Sequence, residues 1–246
     1  MGFRGAINSW NIQLPSLKII SLTSSEYSGT LTLNQNELSN NYFLLPNLTS
    51  VNISGSKISL DMDGGNVRSL NLDNINSTDL SIKNCNSLTS VYTSNMKISG
   101  TCNLGISWSS NFTLSNSGIR NLIVTSTNSI HGTLTISGDN VLENLTSNDF
   151  KNIIVSNCPE LRTFNSSSTT VESISITNCS NLENATINIT SCKSLILNNC
   201  NIRTLILYAN NLEDFGNLKE LKINGGSFEN IECRLTGSTE ILNPSN

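Results

Sequence analysis

The sequence predicts a mainly β protein, a parallel β-solenoid, and three observations lead to this. Cys158, Cys179 and Cys200 recur at a constant spacing of about 21 residues, each after an asparagine and a short apolar run. A fixed period of this length is typical of solenoids, whose coils bury apolar residues only against neighbouring coils. The spacing leaves little room for helices in most coils. We therefore expect about 10 coils of roughly 21 residues, each with two short strands.

Two series of apolar residues mark the expected strands in chain order. Within each series the markers are spaced by about 21 residues, so both keep one period. Strands stacked on their counterparts would give two parallel sheets with a core between them. The first series is Ile53, Leu72, Tyr92, Leu114, Ile136, Val155, Ile176 and Leu197. The second series is Met62, Ile82, Leu104, Val124, Leu145, Phe164, Ile187 and Leu207.

The third residue after each first-series marker is expected to lie where the chain bends inward. Most residues at this position are small or form hydrogen bonds, which suits a tight turn. Cys158, Cys179 and Cys200 are interpreted as a structural ladder of buried free thiols. The alternative of a disulfide stays open, because stacked coils lie about 4.8 Å apart. The whole set is Ser56, Ile75, Asn95, Ser117, Asp139, Cys158, Cys179 and Cys200.

The chain is expected to form one structural domain with atypical ends. Trp10 and the C-terminal tail are candidate cap elements, because an uncovered solenoid end exposes apolar groups and strand edges. The interpretation that the chain is one domain of a longer protein is equally open. The predicted division is 1–45 for the N-terminal cap and first, enlarged coil, 46–235 for the solenoid and 236–246 for the tail.

Two steps of the first series are longer than a coil. From Leu22 to Ile53 the step is one and a half coils long, and Leu38, Phe43 and Leu44 in the excess are expected to form a short helix over the first coils. The step that follows Leu197 exceeds a coil by a smaller amount, and its extra residues fall in NNLEDFGNLKE.

The residues that could carry chemistry favour no reaction. His131 is the only histidine and lies in a turn-like segment, so a His-based triad is not supported. The segment that starts at Asp61, DMDGG, resembles the beginning of a calcium loop, but Leu72 replaces the glutamate that such a loop needs. Cys192 and Cys200 are expected on opposite sheets, which argues against zinc. We expect no catalytic residue, no metal and no cofactor.

Charge and hydropathy exclude two classes of partner. The net charge is −4, and the scattered lysines and arginines form no basic stripe, so nucleic-acid binding is not expected. No apolar run approaches the roughly 20 residues that span a bilayer, so membrane insertion is not expected either. The N-terminal residues lack the apolar core of a signal peptide.

The outward positions of the first series form a candidate binding face. Strand alternation points the residues on either side of each marker away from the core. They are mostly hydroxyl and amide residues, which suit a neutral polymer such as a glycan, or a protein edge. The alternative is that they are only the hydrated face of a sheet. The candidates are Asn52, Ser54, Asn71, Asp73, Thr93, Thr113, Ser115, Thr135, Ser137, Ser156, Ser175, Thr177 and Asn198.

Four segments carry a resemblance to a known family. LILYANNL (205–212) and FTLSNSGI (112–119) follow the pattern L-x-L-x-x-N-x-L, the latter with serine in the asparagine position. LSIKNCNSL (80–88) and ISITNCSNL (174–182) follow its cysteine form. The chain resembles leucine-rich repeat proteins of the cysteine-containing, BspA-like type. Similar repeats occur in surface proteins of gut Bacteroidetes and in virion proteins of their phages.

The resemblance implies a non-enzymatic binding or scaffold module. It favours a virion, such as a phage tail, or an extracellular or cell-surface setting, with adhesion or host recognition through a protein or surface glycan. Other virion subunits are possible partners. One alternative is a purely structural virion subunit without an external ligand. The other is a β-helical polysaccharide-degrading enzyme, which needs clustered carboxylates, whereas Asp61, Asp73 and Asp139 fall on different coils or faces.

Overall fold

The structure is a computed structural model of the 246-residue chain. It describes residues 9–12, 21–23, 29–34, 37–44, 48–54, 57–63, 69–73, 76–77, 79–85, 90–94, 97–106, 111–115, 117–126, 132–238 and 242. Within these ranges the chain is built almost entirely from β-strands.

The strands alternate along the chain between two sides of the molecule. The first ten are β1 (Ser9–Ile12), β2 (Ser21–Thr23), β3 (Gly29–Asn34), β4 (Glu37–Leu44), β5 (Leu48–Ser54), β6 (Lys57–Asp63), β7 (Ser69–Asp73), β8 (Asn76–Ser77), β9 (Leu80–Cys85) and β10 (Ser90–Ser94). The others are β11 (Lys97–Ile106), β12 (Phe112–Ser115), β13 (Ile119–Ser126), β14 (Thr133–Ser137), β15 (Asn144–Ser147), β16 (Asn152–Ser156), β17 (Thr163–Ser166), β18 (Ser173–Thr177), β19 (Asn184–Asn188), β20 (Ser194–Ala209) and β21 (Glu220–Leu235). A five-residue 3-10 helix, η1 (Glu213–Asn217), lies between β20 and β21.

All pairings between strands are parallel, and they build two sheets. The front side, or front sheet, has two hydrogen-bonded parts: β1, β3, β5, β7 and β10 form one, and β12, β14, β16, β18 and the first halves of β20 and β21 form the other, with β10 next to β12. The back sheet contains β2, β4, β6, β9, β11, β13, β15, β17, β19 and the second halves of β20 and β21, and the two-residue strand β8 pairs with β11. Because β20 and β21 both run through the bend, these two strands join the front side to the back sheet.

The prediction of a parallel β-solenoid with a spacing of about 21 residues and almost no helix is confirmed. Strands of both sheets alternate buried and exposed residues, and their inward side chains form one apolar core between the sheets. The continuously described part, residues 132–238, contains about five turns. The coil number of ten stays a prediction.

The expected helix near the N-terminus is wrong. Leu38, Phe43 and Leu44 lie in β4, a strand of the back sheet. Leu22 pairs with Phe43 in that sheet, whereas Ile53 of the front sheet pairs with Leu33, one coil earlier. The long step from Leu22 to Ile53 therefore joined markers of different sheets. The asparagines Asn40 and Asn41 lie inside β4.

One front-sheet marker is displaced by one residue. Thr93, and not Tyr92, pairs with Leu72, while Tyr92 pairs with Asn71. Thr93 therefore takes the register of the first-series marker Leu72 in place of Tyr92, and Val91 takes the register of Leu70. The register of β10 thus differs by one residue from the one that the spacing predicts.

Two back-sheet markers are displaced by two residues, which keeps them on the inward face. Leu145 pairs with Leu122, and Ser147 takes the register of Val124. In the same way Phe164 pairs with Ala185, and Ser166 takes the register of Ile187. Both serines are buried, and neither hydroxyl has a hydrogen-bond partner. Two polar atoms therefore lie unsatisfied where neighbouring coils place apolar residues.

Replacing Ser166 with alanine should stabilise the protein. The change removes a buried hydroxyl without a partner, whose burial costs about 1–3 kcal/mol. As a matched control, Ser173→Ala removes a hydroxyl that donates to Asn152 Oδ1 at 2.7 Å and should destabilise the protein by about 1 kcal/mol. Thermal denaturation measures both effects. A lower melting temperature for Ser166→Ala would contradict the unsatisfied burial.

Candidate functional site

The chain turns from the front sheet to the back sheet through asparagines in a left-handed conformation. Asn157, Asn178 and Asn199 have φ of 54°, 56° and 52°, and Gly138 and Gly225 occupy the same position in neighbouring coils. Asparagine and glycine tolerate this conformation better than other residues. The Asn178 amide donates to Asn157 Oδ1, and the Asn199 amide donates to Asn178 Oδ1, both at 2.9 Å. The asparagine before each cysteine thus forms the bend and an exposed amide ladder.

Each ladder cysteine follows such an asparagine and points into the core. Cys158, Cys179 and Cys200 are fully buried free thiols, as predicted for the structural ladder. Each Sγ donates to the backbone oxygen two residues earlier, over 3.4, 3.6 and 3.3 Å respectively. Hydrogen bonds to the thiols of Cys158 and Cys200, together with burial, raise the pKa of Cys179. A protonated, inaccessible thiol is a packing group, because reactivity requires the thiolate.

Asp139 continues the ladder below Cys158. Its carboxylate is buried and accepts hydrogen bonds from the Ser117 hydroxyl and, at 3.2 Å, from the Val141 backbone N–H. Ser117 is also fully buried. The expected corner position is therefore continuous through these residues. From Ser117 to Cys200 it contains no solvent-accessible nucleophile, and Ser56, Ile75 and Asn95 of the predicted set lie outside the described residues.

Asn178→Ala should destabilise the protein more than Asn178→Gly does. Both substitutions remove the amide ladder, but alanine also has to adopt a positive φ, which costs an L-residue about 1–2 kcal/mol. Chemical denaturation of the two variants measures this difference. Equal stabilities would show that the bend relaxes when its side chain is lost. Gly138 and Gly225 are natural precedents for the tolerated change.

A ladder of alternating charge follows one corner of the solenoid. Arg120 pairs with Glu143 at 3.2 Å, Arg162 with Glu183 at 3.8 Å, and Arg203 with Glu229 at 3.6 Å. Backbone hydrogen bonds connect successive members from Arg120 to Arg203. Glu143, Arg162 and Glu183 immediately precede β15, β17 and β19, and the other three lie within β13, β20 and β21. The pairs are exposed, so each contributes little stability.

The opposite corner has a second ladder, at the start of the front-sheet strands. The Glu172 carboxylate forms ion pairs with two lysines, one from each neighbouring coil. Its Oε1 lies 3.2 Å from Lys151 Nζ, and its Oε2 lies 3.0 Å from Lys193 Nζ. Hydrogen bonds from Lys193 and Lys151 hold the pKa of Glu172 below its ordinary value. Any stability from these contacts is therefore present above the unfolded pKa and is lost as the pH falls through the folded one. Charge is thus gathered at the two corners.

The outward side of the front sheet lies between these corners in three rows. Row one is Thr133, Asn152, Ser173, Ser194 and Glu220. Row two is Thr113, Thr135, Ile154, Ser175, Ile196 and Lys222. Row three is Ser115, Ser137, Ser156, Thr177, Asn198 and Asn224.

The predicted candidates from Thr113 to Asn198 all fall in rows two and three. Thr113 and Ser115 are exposed and the other six are half-buried, consistent with an outward direction. Between β12 and β18 both rows are uncharged, and Ile154 is 41% exposed among the hydroxyls. In the earlier coils, Asn52 pairs with Asn71 and Ser54 with Asp73, so these four candidates form two rows of their own in β5 and β7. The residues that continue these registers in β10 are Tyr92 and Ser94.

The rows differ in whether their polar side chains form hydrogen bonds to other side chains of the protein. In row one the Ser173 hydroxyl donates to Asn152 Oδ1 at 2.7 Å, and that of Ser194 donates to Glu220 Oε2 at 2.7 Å. In row three no hydrogen bond to another described side chain engages Ser137, Ser156 or Thr177. Row three thus offers hydroxyls that are available to a ligand or to water.

The remaining candidate residues do not assemble into a centre in the described part of the chain. Asp61 lies in β6 of the back sheet and Asp73 in β7 of the front sheet, while Asp139 is buried at the corner. No group of three or more His, Cys, Asp or Glu residues is arranged to hold a metal ion among the described residues. Cys192 and Cys200 lie at opposite corners. His131 is outside the described residues.

The sequence could have indicated two features that the strand markers missed. Lys151, Glu172 and Lys193 follow the same spacing as the cysteines, so the charge ladder was visible as a period. The asparagine before each cysteine could have indicated the positive φ. Of the described helices, none has the length and apolar character needed to cross a membrane.

Comparisons with protein-family models, curated proteins and solved structures found no match to this chain. A functional proposal therefore rests on the fold, the arrangement of the surface residues and the sequence motifs.

Proposed function

We propose that the protein is a non-enzymatic binding or scaffold module, which presents the outward side of the front sheet to a neutral glycan or a protein partner. The observation that carries the proposal is the separation of charge from that face. Arginine, lysine and glutamate form ladders at the corners, while rows two and three are uncharged from Thr113 to Asn198. A neutral hydroxyl surface suits sugar hydroxyls or a protein edge and does not attract phosphate polymers.

The leucine-rich repeat assignment belongs to the same proposal. In the L-x-L-x-x-N/C motif the asparagine or cysteine follows the strand. Ser117 and Cys179 hold that position in FTLSNSGI and ISITNCSNL, and both are buried at the corner after a strand. This supports the resemblance to repeats of Bacteroidetes surface proteins and phage virions. A setting in a virion or on a cell surface, with a role in host recognition or adhesion, follows from the resemblance.

A matched pair of substitutions tests the binding face. Thr177→Lys puts a long charged side chain into row three, and Thr186→Lys makes the same change on the outward side of the back sheet, at an equally half-buried threonine. On an array of neutral and acidic bacterial surface glycans, we expect the wild type to retain neutral members. Thr177→Lys should weaken that binding about tenfold, and Thr186→Lys should leave it unchanged.

Equal loss of binding in both variants would place the ligand elsewhere. A wild type that binds neither glycans nor intact bacterial cells would remove the recognition proposal. The result would then favour the purely structural role.

A further inference from the structure

An exposed ladder of asparagine side chains borders the front sheet where the chain turns toward the back sheet. Asn157, Asn178 and Asn199 follow the row-three residues of three successive coils, and all three are exposed. The Asn178 amide donates to Asn157 Oδ1 and the Asn199 amide donates to Asn178 Oδ1, both over 2.9 Å. The three side chains are therefore held in line along the solenoid axis, one in each coil.

The amides of this ladder keep hydrogen-bonding groups that the ladder itself does not use. A primary amide has two N–H donors, and its oxygen has two lone pairs. Within the described part of the chain, Asn178 uses one donor toward Asn157 and one lone pair toward Asn199. One donor and one lone pair remain for a ligand or for water. The hydroxyls of Ser156 and Thr177 lie beside the ladder and form no hydrogen bond to another described side chain.

The polar groups repeat along the solenoid axis and not along the strands. We define the axial strip as the three ladder asparagines with the row-three residues Ser156, Thr177 and Asn198. Each coil, about 4.8 Å from the next, presents one such pair. Along a strand the outward face has only three positions and ends at the charged corner that contains Glu172. A ligand that lies along the axis therefore meets the same pair in every coil, whereas one that lies across the axis meets it once.

The chemistry of the axial strip selects one class of ligand. All six residues are uncharged, so the strip offers no cation to a phosphate or carboxylate polymer. A peptide that extends a sheet needs the backbone groups of an exposed edge, but β16 and β18 are paired on both sides. Ile154, 41% exposed in row two, adds an apolar contact beside the strip. A neutral sugar ring, with hydroxyls at its rim and C–H groups on its faces, matches both surfaces.

We propose that the axial strip binds a linear neutral polysaccharide that lies along the solenoid axis. This binding mode rests on the proposed function of the front face, and it specifies the class of glycan, its direction and three contact residues outside the predicted rows. Affinity increases with repetition, because each further coil that the sugar chain covers adds the same pair of hydrogen bonds within one bound complex.

The glycines of neighbouring coils show how to remove one amide without disturbing the bend. Gly138 and Gly225 occupy the corner position that Asn178 holds, so Asn178→Gly keeps the left-handed backbone. Asn165→Gly is the matched control, because Asn165 is an exposed asparagine on the outward side of the back sheet. Circular dichroism verifies that both variants keep the β-sheet spectrum of the wild type.

Affinity electrophoresis of the full chain uses gels that contain hydroxyethylcellulose, glucomannan, amylose or the acidic polymer alginate. The wild type should be retarded by a neutral polymer and not by alginate. Calorimetry with oligosaccharides of that polymer should show an affinity that rises with chain length. For the longest oligosaccharide, Asn178→Gly should raise the dissociation constant about tenfold, and Asn165→Gly should leave it unchanged. Bacterial cells that bind the wild type should still bind it after protease treatment.

The results distinguish this binding mode from the proposed function. Equal affinity for short and long oligosaccharides, or equal binding by Asn178→Gly and Asn165→Gly, would overturn the axial strip while the front face remained the binding face. Preference for alginate, or cell binding that protease treatment abolishes, would overturn the neutral polysaccharide as the ligand. A wild type that binds neither the polysaccharides nor the cells would overturn both proposals.

Discussion

Cys179→Lys should destabilise the protein by about 3–5 kcal/mol, among the largest effects expected for any single substitution. Cys179 is fully buried between Cys158 and Cys200, and its Sγ has only the Thr177 backbone oxygen and the neighbouring thiols as partners. None of these can neutralise an ammonium group. Because each coil is stabilised by its neighbours, damage here should also divide unfolding into more than one transition. Calorimetry and chemical denaturation measure both effects.

Cys179→Ser is the matched control for this prediction. Serine is smaller than lysine and uncharged, and its hydroxyl can donate to the same backbone oxygen. Ser117 already occupies the equivalent position. The variant should lose only about 1 kcal/mol. If Cys179→Lys melted at the wild-type temperature, the inward direction of the ladder would be wrong.

The same ladder predicts slow thiol chemistry in the native protein. Burial raises the pKa of Cys102 to about 12 and that of Cys192 to about 11. The Cys179 thiol is fully buried, and its pKa is also raised. Cys233 is the most accessible of the six cysteines whose side chains the structure describes. Native labelling with a thiol reagent should therefore modify Cys233 before Cys179. Rapid labelling of Cys179 would contradict the burial.

The sequence was sufficient to predict the solenoid because its period is preserved at the positions that face the core. The three ladder cysteines and the markers from Leu114 to Leu197 pair in the structure as their spacing predicts. Each coil meets the same geometric constraint, so an inward position admits few residue types. A repeated spacing of inward residues therefore predicts which residues of neighbouring strands pair, as well as the fold.

Register was harder to predict where alternation in the sequence allowed two choices. In SVYTS either Val91 or Tyr92 could take the register of an apolar residue in the neighbouring strand, and it is Val91 that pairs with Leu70. In NLTS and TFNS two residues face inward, one apolar and one serine. The apolar residue was chosen as the marker, but the serine is the residue that pairs with the marker of the neighbouring strand. Serine is compatible with a turn, an outer face or a core position, and its sequence position alone does not distinguish them.

The candidate site was predicted less completely than the fold. Strand alternation correctly placed Thr135, Ser156 and Thr177 outward. It could not show that row one uses its hydroxyls internally while row three does not, because that difference depends on which side chains reach across neighbouring coils.

Phe164→Ala should destabilise the protein by about 3–5 kcal/mol. Phe164 is fully buried in the back sheet and is among the largest such side chains in the described core. Its stacked neighbours are Leu145 on one side and Ala185 on the other. Ala185 is also fully buried, so a large and a small residue share the space between two coils. Truncation would leave a cavity that a stacked sheet can close only by moving both neighbouring strands.

This pairing of large and small residues gives a test that is specific to the observed register. Ala185→Phe alone should overpack the core and cost about 1–3 kcal/mol. In the background of Phe164→Ala, the same change puts a ring beside the space that the first ring left. The double variant should therefore be more stable than the sum of the two single effects predicts, by at least about 0.5 kcal/mol in a double-mutant cycle. Strict additivity would mean that the two side chains do not share one space. In that case the two-residue shift of the back sheet, which puts Phe164 beside Ala185 and leaves Ser166 in the register of Ile187, would be incorrect.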